Sequence, residues 1–268
     1  MIRLVALDLD GTLLDPNSKV SDENAAAVRE AAARGVHIVL CTARWYNVAL
    51  RTASRLDLSA PLICLSGAHI RESGSGVDLL HLRVPEEPAR AIAAFCDALG
   101  CETYTTIDDV TYMRTRYEAM IDPERLPKDM KLAKTHAEYV HGPVSGFVVF
   151  GEEAVQGLKE TFEPRYQGEL AFPVGISETG APYVTITGAG SDKGRALRLV
   201  CKHLNVPLEE AMAMGDAEPD VDMFVVAGMG VAMGNAPDDV KDRADAVAPS
   251  NAESGVAWAI RKFVLDGA

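Results

Sequence analysis

The sequence predicts an α/β protein, a parallel sheet flanked by helices with a second α/β unit inserted into it. Short apolar runs alternate with amphipathic helical stretches near both ends of the 268-residue chain, the pattern of βαβ units. That pattern stops near residue 83, gives way to helices among short β runs, and resumes near residue 188. The loops that follow the apolar runs carry carboxylates, hydroxyls and a lysine, and parallel sheets place ligand sites beyond the carboxyl ends of their strands.

Residues 2–9 read as a buried strand. A helix follows over 22–34, with Ser21 as N-cap and Gly35 as terminator. The run 36–41 is the next strand, 46–56 the next helix, and 62–65, after Pro61, a third strand. In the inserted stretch, 83–187, helices are expected near 86–99 and 152–162 and a strand near 144–150. The first pattern returns with a loop and helix over 189–204, short strands at 211–214 and 229–233, and a closing helix over 254–264. This assigns 1–82 and 188–268 to the core and 83–187 to the insertion.

Composition narrows the function classes. A formal charge of −13, from 26 basic against 39 acidic residues, disfavours nucleic acid and anionic membranes as partners, since both reward clustered Lys and Arg. The N-terminal apolar run is short and meets two aspartates, unlike a signal peptide or a membrane span, so a cytoplasmic protein is expected. Cys41, Cys64, Cys96, Cys101 and Cys201 are odd in number and form no CxxC pair, which fits reduced thiols. The six histidines, at 37, 69, 81, 136, 141 and 203, show no metal-ligand spacing. The chain is expected to work as a monomer or small homo-oligomer.

The first strand ends in Asp8-Leu9-Asp10-Gly11-Thr12. Side chains at i and i+2 of a strand share a side, so Asp8 and Asp10 would converge. Two such carboxylates are tolerated if a cation lies between them or if their surroundings split their pKa values; otherwise they merely end a strand in a solvated turn. After the second strand, Thr42-Ala43-Arg44 offers a hydroxyl, a backbone N–H at a helix entrance and a guanidinium for phosphate oxygens, with Thr42 equally readable as an N-cap. Ser191-Asp192-Lys193-Gly194 opens a helix, and a lysine in a first turn opposes the macrodipole by ~0.5 kcal/mol, so an anion is wanted there. The fourth loop, Gly215-Asp216-Ala217-Glu218-Pro219-Asp220, places acids in a first turn, where capping explains Glu218 and Asp220. Asp216 with Asp8 and Asp10 would make an all-oxygen cluster suited to a hard cation, Mg²⁺ above others.

These residues resemble the haloacid dehalogenase (HAD) superfamily, in its Cof-type, sugar-phosphatase-like branch (subclass IIB). The resemblance extends to Ser66-Gly67-Ala68, to Gly230-Val231-Ala232-Met233-Gly234-Asn235-Ala236 and to Glu253-Ser254-Gly255-Val256-Ala257. It implies a Rossmann-like core with an inserted α/β cap that governs substrate choice. It also implies a Mg²⁺-dependent phosphatase acting on a small phosphorylated metabolite, a sugar phosphate in the first instance. Asp8 would be the nucleophile that forms an aspartyl-phosphate, and Asp10 the acid and then the base. Mg²⁺ would be held by Asp8, the Asp10 backbone carbonyl and Asp216. Thr42 and Lys193 would grip phosphate oxygens, helped by the backbone N–H groups of Leu9 and Ala43, while Asp220 orients Lys193 or metal-bound water. Arg114, Arg116, Tyr117, His136 and His141 are candidates for substrate contacts in the cap.

Three positions depart from the branch's pattern. Ala43 replaces the glycine of Thr-Gly-Arg, Ser66 the asparagine of Asn-Gly-Ala, and Pro219 stands where a phosphate-contacting Asn is usual. Proline cannot donate a hydrogen bond but suits a first helical turn, so the fold should persist while one phosphate contact is lost. A sugar phosphomutase, or a phosphometabolite-binding protein with a weakened site, are the alternative functions.

Overall fold

A computed structural model describes residues 1–177 and 180–266; residues 178, 179, 267 and 268, which fall within the expected ranges, lie outside the described residues. The chain divides into two compact units, one of Met1–Leu80 with Asp192–Ala268, the other of His81–Ser191. The second unit begins two residues earlier and ends four later than the expected 83–187. Its ends stay paired with it: the Gly188 N–H donates to Leu82 O at 3.2 Å and the Ala189 N–H to Glu169 O at 2.8 Å.

The first unit opens with β1 (Leu4–Leu7), α1 (Asp22–Ala33), β2 (His37–Leu40), α2 (Tyr46–Arg55) and β3 (Leu62–Cys64). As expected, Ser21 caps α1, its Oγ accepting the Asn24 N–H at 3.1 Å. Two further strands, β4 (His69–Arg71) and β5 (Asp78–His81), make a three-stranded sheet with β3 in the order β3-β4-β5, with β4 antiparallel to β3. Neither was read from the sequence, because strands of three and four residues carry no alternation to detect.

In the second unit, α3 (Glu86–Leu99) and α4 (Glu152–Phe162) have the expected bounds. They accompany β6 (Thr103–Ile107), β7 (Val110–Arg114), β8 (Met130–Leu132), β9 (Gly146–Phe150), β10 (Leu170–Ala171), β11 (Val174–Ile176) and β12 (Pro182–Gly188). Its seven-stranded sheet runs β10-β12-β9-β6-β7-β8 with β11 also on β12, and only the β7–β8 pair is parallel. Ile92, Ala93 and Cys96 of α3 and Leu158 and Phe162 of α4 pack with Phe147, Val149, Val184 and Ile186, a core separate from those of the first unit.

The chain returns to the first unit with α5 (Lys193–His203), β13 (Ala211–Gly215), α6 (Glu218–Val226), β14 (Met229–Ala232), α7 (Asp238–Lys241), β15 (Ala246–Val247) and α8 (Gly255–Ile260). The parallel sheet has the order β15-β14-β13-β1-β2. Leu7 pairs with Met214 on one side and Leu40 on the other, so β1, β2 and β13 end together. Alternate residues feed two cores. Val5, Leu7, Ile38, Leu40, Met212 and Met214 pack with α1, α2 and α8, whereas Leu4, Ala6, Val39, Ala211 and Ala213 pack with α5 and α6. Cover on both faces explains why these strands read as unbroken apolar runs. Each fully buried Leu, Ile or Val contributes roughly 1.5–3 kcal/mol.

Candidate active site

The level ends of β1, β2 and β13 bring three of the polar loops to one edge of the parallel sheet, and the start of α5 brings Lys193 to the same place. Asp8 follows β1 directly and is buried, its N–H continuing the ladder to Met214 O at 3.0 Å. Lys193, the first residue of α5, is also buried and donates from Nζ to Asp8 Oδ1 at 2.7 Å and Asp220 Oδ1 at 2.5 Å. The anion demanded by a lysine in a first helical turn is therefore supplied from within the chain. Asp220 acts on both sides: Oδ2 accepts the Asp216 and Ala217 N–H groups at 3.0 Å each, so the capping role foreseen for it is real and coexists with the lysine contact. Glu218 is turned away to an exposed ion pair with Arg243, and Pro219 occupies the first turn of α6.

Asp10 does not join this cluster with its carboxylate. β1 stops at Leu7, so the two-residue alternation that would align Asp10 with Asp8 no longer applies. Arg44 holds both Asp10 oxygens instead, Nε donating to Oδ2 at 2.7 Å and the terminal nitrogen to Oδ1. The carboxylates that do gather, with ligand oxygens within 4.8 Å of one another, are Asp8, Asp216 and Asp220.

Charge sets the chemistry of this trio. Burial pushes the Asp8 carboxyl well above the usual carboxylate range, opposed by Lys193 and reinforced by Asp220, Asp216 and Asp10. Burial, then Asp220, lifts Asp216 to about 7 against a hydrogen bond from Thr12. Burial alone would lower Lys193, but Asp220 and Asp8 outweigh it and hold its pKa well above the ordinary lysine value. One lysine cannot neutralise three carboxylates, so the cluster takes up protons or a cation. Hard oxygen donors at this spacing fit a small divalent ion. This donor set is the observation on which the residues fit a metal.

The remaining loops complete the edge. Thr42 is fully buried and is not the cap of α2; its Oγ1 accepts the Arg44 N–H at 3.1 Å, leaving its own proton to donate. Ala43 lies between them, and Leu9, fully buried, has its carbonyl bound by the Thr12 and Leu14 N–H groups. Leu65 and Ser66 both have positive φ, and the Leu65 and Ser66 N–H groups donate to Arg44 O and Thr42 O at 3.0 Å each. Such left-handed non-glycine residues gather at functional sites. Gly11 (φ +80°) passes so close to Asp216 that a Cβ would lie 2.1 Å from its Oδ2. Sequence reasoning missed the supports of this loop: Thr12 Oγ1 donates to Asp216 Oδ1 at 2.9 Å, and Asn235, Asn251 and Asn24 reach it from elsewhere. Their partners are far away in the chain, and no local pattern announces them.

The candidate substrate contacts in the second unit fare unequally. His136 is fully buried with Nδ1 2.8 Å from Thr105 Oγ1, a core residue rather than a contact. Arg114 is tied to Asp97, donating to its carbonyl at 3.0 Å and its carboxylate at 3.2 Å. Arg116, Tyr117 and His141 are exposed, with the Arg116 guanidinium over the Tyr117 ring.

Residues 5–260 match the family model of haloacid dehalogenase-like hydrolases. The chain belongs to this family. Among curated HAD proteins, 5-amino-6-(5-phospho-D-ribitylamino)uracil phosphatase YcsE of Bacillus subtilis is 32% identical, over 98% of this chain and 96% of that protein. Phosphatase YwpJ of the same organism is 29% identical, over 98% and 100%. A solved HAD-like hydrolase from B. subtilis superposes with a TM-score of 0.82 at 25% identity, covering 98% of this chain and all of that one. The subclass IIB sugar phosphatase BT4131 shares the fold, with a TM-score of 0.78 at 22% identity over 97% and 98% of the two chains. Among the described residues no helix is long and apolar enough to cross a membrane.

Proposed function

We propose that this HAD hydrolase is a Mg²⁺-dependent phosphatase that cleaves the phosphate monoester of a small phosphorylated metabolite, a sugar phosphate or a phosphorylated sugar-alcohol derivative. One observation carries the reading: a buried carboxylate, Asp8, at the end of β1, held by a buried lysine and flanked by two further carboxylates. The ribityl phosphate in the name of the YcsE phosphatase supports the substrate class. A cytoplasmic location is proposed with it.

In the first half-reaction an Asp8 oxygen attacks phosphorus, the bond from phosphorus to the ester oxygen breaks, and Asp10 gives its proton to the departing alkoxide. In the second, Asp10 takes a proton from water, whose oxygen attacks phosphorus and displaces Asp8 as orthophosphate forms. Lys193 and the Thr42 hydroxyl bind the phosphoryl oxygens, with the Leu9 and Ala43 N–H groups beside them. Asp220 fixes the lysine, and Arg44 orients the Asp10 carboxylate. Asp8, Asp216 and the Asp10 carbonyl would hold Mg²⁺, which supplies charge neutralisation to the transferring group. The test is phosphate release from an activated aryl phosphate, with and without Mg²⁺, for the wild type and Asp8→Asn. Metal-dependent turnover lost in Asp8→Asn supports the proposal. Tight binding of phosphometabolites without turnover by the folded wild type overturns it, as does isomerisation of a sugar phosphate without phosphate release.

A further inference from the structure

Asn235 lies outside the four polar loops, yet its side chain reaches two of them. Asn251 donates its backbone N–H to Asn235 Oδ1 at 2.9 Å. An N–H can only donate, so the amide orientation is fixed by chemistry: Nδ2 faces the other way, toward Gly11 O at 2.8 Å and Asp216 Oδ2 at 3.4 Å. Gly11 O belongs to the loop that carries Asp10; Asp216 follows β13 directly. Thr12 already donates to the other Asp216 oxygen at 2.9 Å, and the Gly11 backbone approaches Asp216 too closely to admit a Cβ. The Asn251 side chain grips the same loop further on, Nδ2 donating to Leu14 O at 2.8 Å.

We propose that Asn235 is a positioning residue of the divalent-cation site: its amide ties the Gly11 carbonyl to the Asp216 carboxylate and so sets the spacing between cation-holding oxygens that come from two different loops. The inference rests on the metal-dependent reading of the site given above. Asn235 touches neither substrate nor reacting atoms in this role. It acts through Asp216 and through the Gly11 carbonyl, one peptide beyond the Asp10 carbonyl. Outer partners of metal ligands of this kind are typically worth 10–100-fold in metal affinity or activity.

The experiment measures Mg²⁺ binding calorimetrically, without substrate, in the wild type, Asn235→Ala, Asn235→Leu and Asn24→Ala, alongside melting temperature, kcat and KM. Asn235→Leu is nearly isosteric and removes the amide without adding a charge beside the carboxylates, which keeps the test decisive if the alanine variant folds poorly. Asn24→Ala is the control for general loosening: buried Asn24 donates to Leu13 O in the same loop at 3.3 Å and accepts the Ala257 N–H at 2.9 Å, and neither bond reaches a carboxylate. Both Asn235 variants are expected to bind Mg²⁺ about tenfold more weakly and to lose kcat with KM little changed. Asn24→Ala should lose melting temperature while its Mg²⁺ affinity stays at the wild-type value. Wild-type affinity in both Asn235 variants overturns the proposal, as does an equal loss of affinity in Asn24→Ala. If the wild type binds Mg²⁺ but releases no phosphate, the phosphatase reading fails while the binding comparison still decides the role of Asn235. If the wild type binds no Mg²⁺, both fall.

Discussion

Lys193 sits where the helix macrodipole disfavours a cation, and two buried carboxylates hold it there. Removing its charge without its bulk, as in Lys193→Met, would leave Asp8 and Asp220 buried and unpaired. Breaking a buried pair in this way typically costs about 3–5 kcal/mol. The variant should therefore melt well below the wild type in a chelator, recover part of the loss on addition of Mg²⁺, and retain negligible phosphatase activity. Unchanged melting in chelator would show that the pairing contributes nothing net. Pro219 is the opposite kind of residue, comfortable in its helix turn and inert toward phosphate. Pro219→Asn should raise kcat/KM for a phosphate monoester by restoring an amide donor, while lowering stability by at most about 1 kcal/mol through a looser unfolded chain. An unchanged kcat/KM would dissociate position 219 from phosphate binding.

Elements divide by how strongly their sequence declares them. Helices α1, α3 and α4 were legible to within a residue, because each combines an apolar stripe with acidic first-turn residues and a clear stop. Strands β1, β2, β13 and β14 of the parallel sheet were legible as unbroken apolar runs, and the loops after β1, β2 and β13 as polar punctuation. Strands β4, β5, β8, β10, β11 and β15 were not, since two to four residues carry no period, and β6, β7 and β12 were expected only as unplaced short β runs. In the site, residue types were readable where a motif is contiguous, as in Asp8, Lys193 and Asp216. Pairings between distant segments were not: Asp10 with Arg44, Asn235 with Gly11, His69 Nε2 with Asp78 at 2.6 Å. The end of α3 shows a further consequence of local geometry. Gly100, left-handed at φ 70°, closes the helix by donating to Cys96 O, and the next residue, Cys101, folds back over Cys96. A hydrogen bond from the Cys96 thiol, then one from Thr103, brings the Cys101 pKa down to about 7 against burial. Alkylation of Cys101 should thus reach its plateau near pH 8, whereas an ordinary thiol still gains rate beyond pH 9. A Cys96→Ala variant whose Cys101 profile is unshifted would remove the cause assigned here.

At the scale of the whole chain, the two units have separate cores, and between pH 7 and 5 a buried group in each acts on stability with opposite sign. In the second, burial and Arg114 lower the His136 pKa to about 4 against the pull of Asp97, and its buried Nε2 meets no hydrogen-bond partner among the described residues. The unfolded state binds the proton first, from about pH 6.5 downward, so stability from this group is lost between about pH 6.5 and 4, on the order of 3 kcal/mol in all. In the first, Asp216 is raised to about 7, so the folded state binds the proton first. Its contribution is lost as pH rises through about 7 and is regained on acidification. Both tryptophans, Trp45 and Trp258, belong to the first unit, so their fluorescence reports that unit while far-ultraviolet circular dichroism reports both. With Mg²⁺ chelated, thermal melts taken from pH 7 to pH 5 should diverge. The dichroism transition should gain an early step that moves down with pH, and the tryptophan midpoint should hold or rise. His136→Gln, which keeps a polar group near Thr105 but cannot titrate, should abolish the downward movement of the early step. A single transition that shifts identically by both probes in wild type and variant would show instead that the two units unfold as one and that His136 does not govern the acid limb.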